Sequence, residues 1–139
     1  MSEQRSNSTN GKENGNAAFA NKNLLIVEDY DRLRALMAKP FERAGFTVYS
    51  ATSPLDVLSM AKSLQPDIVI LDQALSCTSA MLLLKMLRAQ LPDSIVIMYA
   101  TGMGPENKNY ALQNGATDVL MQDYDPAILD RLVTQASFH

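Results

Sequence analysis

Five short aliphatic runs recur along the chain, and four of the five are followed by a segment with apolar residues at helical spacing before the next run begins. The runs have the length of strands that are buried on both faces. Strands that alternate with helices through short connections favour a parallel sheet covered by helices on both faces. The predicted strands are 24–27, 46–51, 67–72, 94–99 and 118–121. We therefore expect one doubly wound α/β domain with a five-stranded parallel sheet and five helices, and a ligand crevice at the carboxyl ends of the strands.

Capping and stop residues predict where the helices begin and end. The first helix is predicted to end at Gly45, and its internal Pro40 should kink it or cost a hydrogen bond. Ser53 is the predicted N-cap of the second helix, with Pro54 at its first position. The third spans 80–91, the fourth opens at 104–105, and the last opens at 125–126. Apolar residues recur at helical spacing in the first two helices, at Leu33, Leu36, Met37, Phe41 and Ala44, and at Leu55, Leu58, Ala61 and Leu64.

The N-terminal segment differs in composition from the rest of the chain. Residues 1–23 contain six Asn and three Ser and follow neither a helical nor a strand period. Such a segment buries too little apolar surface to offset the entropy of ordering it. We expect residues 1–23 to be a disordered polar leader and residues 24–139 to form the folded domain.

Charge and cysteine content exclude several classes of function. The net charge of -3 gives no electrostatic reason for this domain to bind nucleic acid or anionic lipid. The single Cys77 excludes an internal disulfide. The chain has neither an apolar run long enough for a membrane span nor a secretory signal, so we expect a soluble, cytoplasmic protein.

Acidic residues follow two of the predicted strands. Glu28 and Asp29 come directly after the first strand, and Asp72 ends the third. Like charges at one edge of a sheet are costly unless protons or a cation neutralise them, and Mg2+ is the natural occupant of such a site. A carboxylate beside Mg2+ on a rigid strand can accept a phosphoryl group. Asp29 could instead be the N-cap of the first helix.

Several segments, in this order and spacing, resemble the receiver domain of two-component response regulators. The resemblance extends over residues 24–136. The matching segments are LLIVED (24–29), RAGF (43–46), PDIVILD (66–72), NGATDVL (114–120) and YDP (124–126).

The resemblance implies a role for each matched position. Asp72 matches the phosphoacceptor, Glu28 and Asp29 match the acidic pair that helps bind Mg2+, and the backbone carbonyl of Ala74 would complete the ligands. In such domains a histidine kinase, a phosphotransfer protein or a small phosphodonor supplies the phosphoryl group. A downstream protein partner then binds the face formed by the fourth helix, the fifth strand and the fifth helix, which also serves for dimerisation.

Three positions of the family's switching machinery depart from the family pattern. The usual phosphate-sensing Thr or Ser falls on Ala100, with Thr101 next to it, and the family's Lys falls on Gln122. The aromatic residue that switches between buried and exposed states falls on Val119. Without that Lys, we expect at least one of the carboxylates of Glu28, Asp29 and Asp72 to have a raised pKa when metal is absent.

Two functions remain open at this point. The first is a phosphoacceptor receiver, and the second is an atypical receiver that binds partners without phosphorylation. We favour the first, because an acidic cluster without a neutralising Lys would be costly to keep unused. We do not expect an enzyme, since phosphatases with an Asp nucleophile need a second Asp where this chain has Ala74. The strongly apolar segment 81–91 is compatible with a homodimer or with a deeply buried helix.

Overall fold

The chain folds around one five-stranded sheet. The computed structural model describes residues 21–75, 79–99 and 105–120. All the strands pair in parallel, in the order β2-β1-β3-β4-β5, which confirms the predicted doubly wound architecture. The strands are β1 (Asn23–Val27), β2 (Thr47–Ala51), β3 (Ile68–Asp72), β4 (Ile95–Tyr99) and β5 (Asp118–Leu120).

Four helices connect the strands in the described part of the chain. They are α1 (Asp31–Arg43), α2 (Pro54–Leu64), α3 (Ala80–Gln90) and α4 (Pro105–Gln113). The predicted last helix, from 125–126, lies outside the described residues, as do residues 1–20 of the predicted leader and Cys77. None of the helices in the described ranges is long and apolar enough to cross a membrane.

The sheet separates two hydrophobic clusters. One packs residues of α2, α3 and α4, including Val57, Leu84 and Ala111, against one face of the sheet. The other packs Met37 and Phe41 of α1 against the opposite face. All five residues of β4 are buried, as expected for a strand that is covered on both faces.

Local sequence signals account for the helix ends. The Ser53 hydroxyl accepts a hydrogen bond from the backbone N–H of Asp56 at 3.2 Å, and Pro54 is the first residue of α2, as predicted. Gly45, directly after the first helix, has φ 105°, a left-handed conformation that glycine adopts readily. Helix α1 continues through Pro40 to Arg43.

Two of the apolar residues at helical spacing are exposed. Leu36 is 48% exposed and Leu55 is 78% exposed, so the helical spacing alone does not separate the buried apolar residues from the exposed ones. In α1 the buried positions are centred on Met37 and Phe41, which are four residues apart. Leu36, one position earlier, is rotated about 100° away from that line. In α2 the buried line is set by Val57 and Ala61, which turns Leu55 outward.

Helix α3 is apolar on more than one side. Its buried positions include Leu83, Leu84 and Leu87, whereas Leu82 and Met86 are exposed. The helix is therefore buried on one side only and is not the deeply buried helix that was one of the two alternatives. Dimerisation through the exposed residues stays a prediction.

Arg88, near the end of α3, joins three segments at the amino-terminal edge of the sheet. Its guanidinium donates hydrogen bonds to the carbonyls of Leu91 and Ser94 before β4, at 2.7 and 2.8 Å. It also donates to the carbonyl of Gly115 at 2.8 Å and to the hydroxyl of Thr117 at 3.1 Å, both before β5. A Cβ atom on Gly115 would lie 2.7 Å from Cβ of Arg88, so glycine is required for this close approach.

Candidate functional site

The carboxyl ends of β1 and β3 bring two acidic residues to neighbouring positions. Val27 pairs with Leu71 in the parallel ladder, and Glu28 and Asp72 each follow that pair by one residue. The interaction between the two carboxyl groups contributes to the pKa of Glu28. The structure therefore brings together the predicted residues Glu28 and Asp72, with the half-buried Asp29 next along the chain. We call these three residues the acidic edge.

Glu28 is a buried carboxyl group. It is 2% exposed, and its Oε2 accepts a hydrogen bond from the backbone N–H of Tyr30 at 3.1 Å. Oε1 is buried and has no hydrogen-bond partner among the described residues. Burial raises the pKa of Glu28 to about 7, and the negative charges of Asp72 and Asp29 add to this effect, while the bond from Tyr30 opposes it. A raised pKa at the acidic edge was expected from the repulsion of like charges. It is found at Glu28, where burial is the main cause and that repulsion adds to it.

Asp72 is held at the start of a turn. Its Oδ1 accepts a hydrogen bond from the backbone N–H of Ala74 at 3.0 Å, and the N–H of Gln73 donates to the carbonyl of Tyr99 at 2.8 Å. The first bond keeps the backbone of Ala74 beside the carboxylate. The second fixes the exit from β3 against the end of β4. The use of the Ala74 carbonyl as a metal ligand stays a prediction.

The turn from β1 into α1 is fixed by an arginine. The N-cap residue of α1 is Tyr30, so the alternative in which Asp29 is the N-cap was wrong. Nη1 of Arg34 donates a hydrogen bond to the carbonyl of Glu28 at 2.7 Å, and Nη2 forms an ion pair with the carboxylate of Asp31. The guanidinium therefore connects the two ends of the turn.

The donor set at the acidic edge fits Mg2+. Within residues 21–75, 79–99 and 105–120, no group of three or more His, Cys, Asp or Glu side chains is arranged to bind one metal ion. Mg2+, however, usually takes one or two carboxylates and keeps several of its waters. Glu28 and Asp72 supply such a pair, and the buried Oε1 of Glu28 lacks a hydrogen-bond partner in the described part of the chain. A bound Mg2+ would supply the positive charge that this pair needs.

A polar cleft lies beside the acidic edge, at the carboxyl end of β2. Its volume is about 370 Å³. Its wall is formed by Arg34, Ser50, Ala51, Thr52, Asp56, Ser59 and Met60. Sequence reasoning did not identify Arg34. The only available signal was its position three residues after Asp31, a spacing that places two side chains on the same face of a helix.

Of the positions that depart from the family pattern, only Val119 lies among the described residues. Val119, in β5, is 5% exposed and packs in the cluster on the α2, α3 and α4 side of the sheet. It is therefore a core residue. Ala100, Thr101 and Gln122 lie outside the described residues.

Comparison with known families decides the classification. The family model of the response regulator receiver domain matches residues 24–134. The chain belongs to this family. Receiver domains are signalling domains of two-component systems, so the resemblance noted in the sequence is confirmed.

Named relatives of this receiver domain include two transcriptional regulators. The alkaline phosphatase synthesis transcriptional regulatory protein PhoP of Bacillus subtilis is 27% identical over 106 residues, which are 76% of this chain and 44% of that protein. The phosphate regulon transcriptional regulatory protein PhoB of Pseudomonas aeruginosa is 32% identical over 107 residues, which are 76% of this chain and 47% of that protein. The receiver domain thus spans less than half the length of these two relatives.

Solved structures share the fold. The signal receiver domain of a DNA-binding response regulator protein (merR) from Colwellia psychrerythraea has a TM-score of 0.78 at 17% identity, over 85% of this chain and 99% of that one. At such low identity the likeness concerns the fold alone. It agrees with the strand order and the parallel pairing described above.

Proposed function

We propose that this receiver domain accepts a phosphoryl group on Asp72 in a Mg2+-dependent reaction, and that phosphorylation changes its binding to a protein partner. The observation that carries the proposal is the buried carboxyl group of Glu28 beside Asp72, with its Oε1 lacking a hydrogen-bond partner in the described ranges. Burying a carboxyl group in this way is costly, and the cost is offset when a cation binds there.

Each residue has a defined task in this proposal. The backbone N–H of Ala74 holds Oδ1 of Asp72, and the other carboxylate oxygen attacks the phosphorus of the donor. As the new O–P bond forms, the bond between phosphorus and the donor breaks, and the donor's histidine, or acetate in the case of acetyl phosphate, leaves. Glu28, Asp29, Asp72 and the carbonyl of Ala74 would hold the Mg2+, either directly or through its waters. The ion would supply charge that shields the anionic donor from the acidic edge.

The proposed partners follow from the family. A histidine kinase or a phosphotransfer protein would donate the phosphoryl group, and a downstream protein would bind the modified domain, with a homodimer as a further possibility. The net charge of -3 supports neither nucleic-acid nor membrane binding by this domain, and we place it in the cytoplasm. We assign it no catalytic turnover beyond slow loss of its own phosphoryl group.

The test is the intact mass of the protein after incubation with Mg2+ and acetyl phosphate. We expect a product heavier by one phosphoryl group, which EDTA abolishes. Asp72→Asn should give no product. Asp93→Asn, which alters an exposed loop residue, should react like the wild type. A wild-type protein that stays unmodified with Mg2+ bound would refute the proposal.

The alternative function is a phosphorylation-independent interaction domain. It is favoured by Val119, which is buried in the core at the position where the family has its switching aromatic residue. A branched aliphatic side chain cannot swing a ring between buried and exposed states. A wild-type protein that binds its partner equally well before and after the phosphodonor treatment would support this alternative.

A further inference from the structure

The turn that carries the acidic edge is held by one side chain of α1. Residues 28–30 link β1 to α1, and Arg34 contacts Glu28 at the start of this turn and Asp31 directly after it. Its Nη1 donates to the carbonyl of Glu28 at 2.7 Å, and its Nη2 pairs with the carboxylate of Asp31. The side chain of Arg34 is 25% exposed, so these contacts are partly shielded from water.

Helix α1 lacks a side-chain N-cap hydrogen bond within the described part of the chain. Most helices begin at a residue whose side chain accepts a hydrogen bond from the first turn. In α1 that position is Tyr30, and its side chain makes no capping bond to the described part of the chain. The ladder between β1 and β3 ends at Val27, one residue before Glu28. Among the described residues, the bond that reaches the Glu28 carbonyl beyond the end of this ladder comes from Arg34.

We propose that Arg34 is a positioning residue for the acidic edge: its guanidinium fixes the backbone of Glu28 and thereby sets the affinity of the site for Mg2+. This inference rests on the proposed function. Arg34 need not contact the metal. Its hydrogen bond to the Glu28 carbonyl fixes the backbone of Glu28, and the position of the backbone sets the position of the Glu28 carboxyl group.

The geometry of guanidinium explains why arginine is used here. Its donors lie in a rigid planar fork, so one side chain can bond two acceptors in a fixed relative position. A lysine ammonium is a point charge on a flexible stem and does not fix two acceptors in this way. Methionine keeps much of the length and apolar stem of arginine but donates no hydrogen bond.

The first measurement is Mg2+ affinity by isothermal titration calorimetry. We expect Arg34→Met to lower the affinity for Mg2+ about tenfold or more, which is the usual effect of removing a residue that orients a metal ligand without contacting the metal. Arg34→Lys should fall between Arg34→Met and the wild type. Arg43→Met, which removes an exposed arginine at the other end of α1, should bind like the wild type.

The second measurement needs no metal. Amide hydrogen exchange in EDTA should become faster at Tyr30 in Arg34→Met, because its N–H donates to the Glu28 carboxylate and the turn is released. Exchange at β3 residues such as Ile70 should not change, which separates loss of positioning from loss of the fold.

The outcomes separate this inference from the proposed function. If the wild type binds Mg2+ and Arg34→Met binds it equally well, or if Arg34→Lys binds as tightly as the wild type, the positioning role is refuted and the proposed function stands. If the wild type binds no Mg2+, the metal part of both proposals is refuted. Unchanged exchange at Tyr30 in Arg34→Met would also refute the inference, whatever the metal does.

Discussion

Glu28 is protonated or charged according to what lies beside it. Its carboxyl group is buried at the end of β1, next to Asp72 and close to Asp29, and its pKa is raised to about 7. Near neutral pH, a modest change in its surroundings therefore changes its charge. A neutral Glu28 can donate a hydrogen bond from its carboxyl group to Asp72, whereas an ionised Glu28 adds a second negative charge to the acidic edge.

The raised pKa predicts how stability depends on pH in the absence of metal. The folded state holds the Glu28 proton up to about pH 7, whereas the unfolded chain releases it near the ordinary value of 4.5. The stabilising contribution is therefore complete below about pH 4.5 and is lost as pH rises to 7. We expect the free energy of unfolding in EDTA to fall by about 2–3 kcal/mol from this group.

Urea unfolding between pH 4.5 and 8 measures this effect, with Glu28→Gln as the matched variant. The variant cannot ionise at this position, so its stability should vary less with pH by about that amount. Equal pH dependence in the two proteins would show that Glu28 is not the group responsible. Sequence reasoning predicted a raised pKa at this edge but not its location, because the burial of Glu28 results from the packing of β1, α1 and β3.

At the scale of elements, the residues that begin helix α2 could be predicted from the sequence. Ser53 and Pro54 predict the start of α2 because a hydroxyl acceptor and a fixed φ act within one turn of the chain. The exposure of Leu36 and Leu55 could not be predicted, since it depends on how each helix is rotated against the sheet. The contacts of Arg34 and Arg88 were equally hard to predict, because most of their acceptors are backbone carbonyls, which every sequence provides.

Removal of the α2 cap should cost a moderate amount of stability. In Ser53→Ala the N–H of Asp56 loses its hydroxyl acceptor, and we expect the free energy of unfolding to fall by about 1 kcal/mol. Ser63→Ala, which alters an exposed serine near the other end of α2, serves as the control and should change stability little. Urea unfolding of both variants makes the comparison. A loss in Ser63→Ala as large as that in Ser53→Ala would argue against capping as the cause.

Removal of the Arg88 hydrogen bonds should lower the free energy of unfolding more than removal of the α2 cap does. Arg88→Met leaves the carbonyls of Leu91, Ser94 and Gly115 without this donor, and we expect a loss on the order of 3 kcal/mol. Lys85→Met, at an exposed position of the same helix, is the matched control. Thermal unfolding should show a clearly lower midpoint for Arg88→Met only. A midpoint equal to that of Lys85→Met would mean that these bonds contribute little.

At the scale of the whole molecule, the amino-terminal and carboxyl-terminal ends of the parallel strands differ in what they contribute. The amino-terminal edge is closed by Arg88, which ties α3 to the segments before β4 and β5. The carboxyl edge instead brings Glu28 and Asp72 together at the cost of a buried carboxyl group. The hydrogen bonds of Arg88 stabilise the fold, so the domain can retain the unfavourable pair of Glu28 and Asp72 at the carboxyl ends of the strands. In the proposed function, bound Mg2+ would reduce the repulsion within this pair.

This arrangement predicts that Mg2+ stabilises the entire domain and does so more strongly at higher pH. Binding to the folded state alone raises the free energy of unfolding by about 2.7 kcal/mol when Mg2+ is a hundredfold above its dissociation constant. At pH 5 Glu28 keeps its proton, and the metal must displace it, so binding is weaker. At pH 8 the carboxylate is already ionised, and the metal relieves its repulsion with Asp72.

Thermal unfolding with Mg2+ or EDTA, at pH 5 and at pH 8, measures this coupling. We expect the Mg2+-dependent rise in the unfolding midpoint to be larger at pH 8 for the wild type. Glu28→Gln should lose this difference, because its side chain has no proton to displace in this range. Asp72→Asn should show a smaller rise at both pH values, since one of the two carboxylates is gone. A wild-type midpoint that responds to Mg2+ equally at both pH values would mean that the metal binds away from Glu28.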